Sequence, residues 1–180
     1  MRTLYGVAAL AFALGACATH TPSPATQRNL ESEADATLSE MTNRDPSLND
    51  VLATSNAYAV FPDVGAAGAF VAGGAFGKGI LFEGGRPVGY VEVKQGSIGL
   101  ELGGQTYSEL VVLKEPHDVA LLKAGQLAIG ANASAVILKT GAAATANAAN
   151  GNSVFVMPRG GLMAGVSITG QTIDFRPLRG

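Results

Sequence analysis

The chain has 180 residues and a formal net charge of -2, a size that builds one domain with a full core and a charge that offers no basic footprint for nucleic acid. Charged residues make up only 14%, Gly numbers 24 and Trp is absent. This small-residue composition, without the collagen period, implies tight turns and close backbone contacts.

Residues 1–16 predict an export leader. Arg2 gives a positive start and Leu4 to Leu14 an apolar run of secretory length, too short to span a bilayer, which takes about 20 apolar residues. Leu14-Gly15-Ala16-Cys17 follows and resembles a lipobox, where a bacterial lipoprotein precursor is cut and its cysteine acylated. Cys17 is the only cysteine. An internal disulfide is therefore excluded, and lipidation by fatty acyl chains such as palmitate is the expected use, with plain cleavage at Ala16 as the competing reading. Several acyl chains, each contributing about 0.8 kcal/mol per buried methylene, would give stable membrane anchoring. Ala18 stands where an aspartate would favour the inner membrane, so the expected location is the periplasmic face of the outer membrane.

Residues 17–25 read as a Pro/Ser/Thr-containing lipidated tether and 26–180 as a single domain. From Thr26, Leu30, Ala34, Leu38 and Met41 recur at spacings of four, four and three and predict an amphipathic helix. Asp45-Pro46 breaks it, and Ser47 with Asp50 resembles a capping box for a second short helix to about Thr54. Beyond Asn56 the texture is β. Ala57 to Phe61 forms a short run stopped by Pro62, and Gly79–Phe82 with Pro87–Val93 predicts a hairpin about Gly84-Gly85. Ile98 to Leu102 alternate, and Tyr107 to Leu113 continue the meander. His117 to about Ala124 predicts a short helix with Pro116 in its first turn. Strands return at 133–138, 153–156, 162–168 and 171–175, while 141–152 reads as a long loop or a poorly packed strand. The expected fold is α+β, with N-terminal helices followed by a Gly-rich antiparallel sheet or barrel-like core into which a short helix is inserted.

Catalytic equipment is sparse. His20 and His117 have no neighbour at metal-ligand spacing, and no G-x-S-x-G elbow accompanies His117, which reads as a surface or helix-cap residue. The glycine cluster 65–79 contains Gly77-Lys78, but Ala72 and Gly79 stand where a phosphate loop needs glycine and Ser or Thr. Close strand contacts are the simpler use of these glycines. Glu92, Glu101 and Glu109 could supply an acid/base pair, yet solvated sheet positions are the simpler expectation. No metal, cofactor or catalytic residue is expected, and the chain reads as a non-enzyme.

The order of motifs resembles the SYLF domain. The likeness runs through Ala57-Tyr58-Ala59-Val60-Phe61-Pro62, Gly77-Lys78-Gly79-Ile80-Leu81, Gly96-Ser97-Ile98-Gly99-Leu100-Glu101-Leu102-Gly103-Gly104-Gln105, Leu110-Val111-Val112-Leu113, Leu127 to Ser134 and Gly161 to Ile168, and covers roughly residues 30 to 175. The resemblance implies a lipid-binding module; eukaryotic members bind phosphoinositides and, in fungi, actin, while bacterial members are secreted or lipid-anchored envelope proteins. The eukaryotic lipid contact is associated with a basic helix near the domain start. Here that segment sets Arg28 and Arg44 against four acidic residues, which oppose anionic lipid. Where the family tends to have an aromatic residue before the last glycine pair, this chain has Met157-Pro158-Arg159. The expected partner is membrane phospholipid or another amphiphile, with Lys78, Arg86 and Arg159 as headgroup contacts and Phe76 as their apolar neighbour. The alternative is a structural or interaction lipoprotein of the envelope that contacts peptidoglycan or a protein whose identity the sequence does not give.

Overall fold

The computed structural model describes residues 24–69, 72–97, 103–129, 134–143, 151–160 and 170–178. The leader, Cys17 and most of the tether, the strands expected at 98–102 and 162–168, Glu101, and residues 144–150 lie outside them. Helices α1 (Pro24–Arg44) and α2 (Leu48–Ala53) come first. Strands β1 (Ala57–Ala69), β2 (Ala72–Glu83), β3 (Arg86–Ser97) and β4 (Gly103–Leu113) follow, then α3 (Pro116–Lys123), β5 (Ala128–Ile129), β6 (Ser134–Ile137), β7 (Ser153–Gly160) and β8 (Gln171–Pro177). The fold is α+β, as the hydrophobic periods indicate.

The eight strands form one sheet in the order β5-β8-β3-β2-β1-β4-β7-β6, curled into a half-barrel. Two sequence expectations are corrected here. The sheet is mixed, because β6 and β7 run parallel. Nor is it a simple meander: β4 returns to pair with β1 instead of β3. Leu110, Val111, Val112 and Leu113 are all fully buried, and a strand apolar on both faces needs a central place with cover on either side.

The hairpin between β2 and β3 turns at Gly84 and Gly85, with φ of 55° and 76°, the left-handed pair that a two-residue turn requires. Strand β1 does not stop at Pro62 as expected. Val60 pairs with Ile80 and Asp63 with Lys78, so Phe61 and Pro62 together oppose the single residue Gly79. This bulge accommodates a proline inside a strand, where its missing N–H would otherwise break the ladder. The Pro62 carbonyl accepts a hydrogen bond from Ser108 Oγ at 2.7 Å.

The curled sheet carries a core on each face. On the concave face Phe61, Leu81, Val91, Val93, Val111, Val154 and Ile173 pack together, and Val119 and Leu122 of α3 close one end. On the other face Tyr58, Ile80, Tyr90, Leu110, Phe155 and Met157 meet α1 and α2. Ala34 and Met41 are fully buried there, and Leu30 and Leu38 pack at the margin, as their spacing requires. Each fully buried side chain of Met or Leu size contributes about 1.5–3 kcal/mol. Tyr58 and Phe82 stack beneath the helix at 5.2 Å between ring centroids, and the Tyr90 hydroxyl donates to Glu31 Oε1 at 3.3 Å.

The joint between α1 and α2 rests on Asp45, which is fully buried. The expected capping box is absent, since Ser47 makes no side-chain cap bond. Instead Asp45 Oδ1 accepts from Ser47 Oγ at 2.6 Å and from Gly141 N at 3.1 Å, and Oδ2 from Ala143 N at 2.8 Å. Burial pushes this carboxyl upward, but the bonds from Ser47, Ala143 and Gly141 outweigh it and hold it below the usual value. Residues 141–143 of the segment read as a long loop or a poorly packed strand are thereby fastened to the helical layer.

Candidate functional site

Helix α1 packs on the helix-side face of the sheet over β1 and β2, and among the described residues no other element covers the far flank of that face. On that flank the strand register places Lys94, Phe76, Gly65, Thr106 and Gly160 in one row, and Gly96, Gly74, Ala67 and Gly104 in the next. Side chains two apart along a strand share a face, so Lys78 and Phe76 stand together on β2. Phe76 is 46% exposed, on a floor of glycine and alanine. An exposed phenylalanine with little around it to cover it marks a contact surface more than a core position.

The expected site residues do not all gather. Lys78 is exposed and sits across the ladder from Asp63 and Glu92. Arg86 lies opposite Glu83 at the hairpin turn, five residues along β2 from Lys78, about 17 Å at 3.3 Å per residue. Arg159 is on β7, at the opposite margin of the bare flank. Its Nε donates to Ser108 Oγ at 2.5 Å, and its Nη2 reaches Thr37 Oγ1 at 3.4 Å and Glu40 Oε2 at 3.5 Å. Among the described residues its Nη1 has no partner.

Around Arg159, α1 stands off the sheet and leaves a cleft of about 520 Å³, whose walls carry Glu33, Glu40 and Asp63 as well as the arginine. Thr106 lines this cleft and also a second, shallower groove of about 470 Å³ over Gly65–Ala67, Gly104–Thr106 and Gly160. The two are therefore contiguous. The sequence reading missed these three carboxylates and Ser108, because their meeting with Arg159 depends on contacts between segments far apart in the chain.

Glu109 is a correction. Expected on a solvated face, it is fully buried on the concave side. Gln171 Nε2 donates to its Oε2 at 3.0 Å and also reaches Gln95 Oε1 at 3.4 Å. Three strands separate β8 from β4 in the sheet, so this bond spans the interior of the half-barrel. Glu109 Oε1 and Gln171 Oε1 accept no hydrogen bond from the described residues. Burial raises the Glu109 carboxyl to about 7, against the smaller opposing effect of Gln171. Glu92 is half-buried, and His117 is exposed in the first turn of α3. Among the described residues no cluster of His, Cys, Asp and Glu has metal-holding geometry, and no helix is long and apolar enough to cross a membrane.

A comparison with curated proteins found no match. Residues 94–177 match the family described as Ysc84, Las17-binding protein actin regulator. The matched segment contributes β4, β7 and β6 at one edge of the sheet and β8 and β5 at the other. Strands β1, β2 and most of β3, outside the match, lie between the two groups in the sheet. The chain matches the Ysc84, or SYLF, family over residues 94–177.

Proposed function

We propose that this is a non-enzymatic, lipid-anchored envelope protein whose SYLF domain binds membrane phospholipid at the bare flank of its sheet. The observation that carries the reading is Phe76, 46% exposed in a row that leads over Gly65 and Thr106 to Gly160, beside Arg159. An apolar anchor on a flat, small-residue surface, with cations at its margins in Lys78 and Arg159, suits the boundary between acyl chains and headgroups. The leader and Cys17 support the same reading from the sequence: they deliver the domain to the periplasmic face of the outer membrane and hold it there. A tethered domain meets its membrane at high effective concentration, so a weak contact suffices.

The family description names a protein, Las17, and actin regulation. An exported chain would not meet actin, and a protein or peptidoglycan contact is the alternative role. Every described element lies within residues 24–178, so a chain beginning at Ala18 retains them all and lacks the anchor. It is expected to float with vesicles of mixed bacterial phospholipids. No association with such vesicles would overturn the reading, and one stoichiometric protein co-purifying without lipid would favour the alternative.

A further inference from the structure

We infer that the cleft beside Arg159 selects the zwitterionic headgroup of phosphatidylethanolamine, an inference that rests on the membrane reading above and specifies its ligand. Arg159 is a prepared anion contact. The fully buried Ser108, itself bonded to the Pro62 carbonyl, fixes its Nε, while Thr37 and Glu40 hold Nη2. The guanidinium is thus oriented before any ligand arrives, with Nη1 turned to no described partner and the side chain 41% exposed. A planar guanidinium held this way matches phosphate oxygens better than a mobile ammonium does.

The surrounding charge decides which phosphate. Glu33, Glu40 and Asp63 line the same cleft as Arg159, with Arg44 paired to Glu40 at 3.4 Å and Lys78 across the ladder from Asp63, so the cleft presents both signs and a ligand carrying only negative charge answers the arginine and not the carboxylates. A headgroup that joins a phosphate to a primary ammonium satisfies both signs, because the ammonium has three donors to offer the carboxylates. Choline has none, and its usual recognition is an aromatic cage; among the described residues no aromatic side chain lines this cleft. The contiguous groove over Gly65, Ala67, Gly104 and Gly160 then receives the start of an acyl chain and leads it toward Phe76.

The test floats the chain beginning at Ala18 with vesicles of phosphatidylcholine alone, or doped with phosphatidylethanolamine or with phosphatidylglycerol. Retention on the ethanolamine vesicles is expected to exceed the other two by about tenfold or more, the factor that 1.4 kcal/mol supplies. Arg159→Gln is expected to remove this excess. Because Arg159 also fastens α1, a second variant is needed: Glu33→Gln with Asp63→Asn, at two exposed positions, is expected to lose the ethanolamine preference and gain binding to phosphatidylglycerol. Equal binding to all three vesicles, or a phosphatidylglycerol preference in the unaltered chain, overturns the inference and leaves the membrane reading standing. Binding to none of them, nor to vesicles of mixed bacterial lipid, removes both. Tight binding of soluble phosphoethanolamine without vesicle retention would overturn the membrane as the source of the ligand.

Discussion

Glu109→Gln is expected to make the protein more stable than the unaltered chain at pH 8, by roughly 2–4 kcal/mol, and to leave it nearly unchanged at pH 4.5. The carboxyl is fully buried, and its folded-state value is about 7 against an ordinary value of 4.5. A group raised in the folded state contributes its full stability below the ordinary value and loses it as pH rises through the folded one. The loss therefore runs between about pH 4.5 and 7, and each pH unit in that window is worth about 1.4 kcal/mol. Glutamine copies the shape of the protonated acid and carries no charge to desolvate, so it matches the acid form at low pH and avoids the cost at high pH. Urea unfolding of both proteins at the two pH values measures this directly. Equal stability of the two at pH 8 would show that the Glu109 carboxylate is not isolated from water inside the half-barrel.

Gly79→Ala is expected to destabilise the fold by about 3 kcal/mol or more, at the upper end of overpacking costs. The bulge in β1 leaves Gly79 facing Phe61 and Pro62, and a Cβ there would run into the Val60 carbonyl oxygen, with Phe61 Cδ1 at 2.8 Å and Val60 C at 2.9 Å. The obstacle is mainly the backbone of a central strand, which cannot step aside as a flexible side chain can. Gly96→Ala is the matched control, because nothing lies within 4 Å of a Cβ added there. Denaturant midpoints for the pair should separate widely. A Gly79→Ala protein within about 0.5 kcal/mol of the original, the range of ordinary surface changes, would contradict the bulge geometry.

The parts of the fold legible in the sequence are those written in local spacing. Leu30, Ala34, Leu38 and Met41 lie along one helical stripe, and Gly84-Gly85 supplies a turn few other residue pairs can make, so α1 and the β2–β3 hairpin follow from the residues themselves. Pro62 misled because its cost depends on the partner strand: opposite Gly79, within a bulge, no ladder bond is lost. Glu109 misled for a related reason. Alternation separates polar from apolar faces only where one face meets water, and the region of β4 around Glu109 is buried on both.

The site divides along the same line. Phe76 and Lys78 are neighbours on one strand face, and their shared surface follows from a period of two. The role of Arg159 does not, since its partners Thr37 and Ser108 lie 122 and 51 residues earlier. Only the packing of α1 on the sheet brings them within reach, and with them the acidic wall that gives the cleft its mixed charge.

The central claim is that the bare flank of the sheet enters the membrane boundary at Phe76. The chain contains no Trp, so Phe76→Trp creates a single indole reporter at that point. On addition of mixed bacterial phospholipid vesicles its emission is expected to shift to shorter wavelength and to be quenched by brominated acyl chains. Unchanged emission from protein that nonetheless floats with the vesicles would place the membrane contact elsewhere and contradict the account.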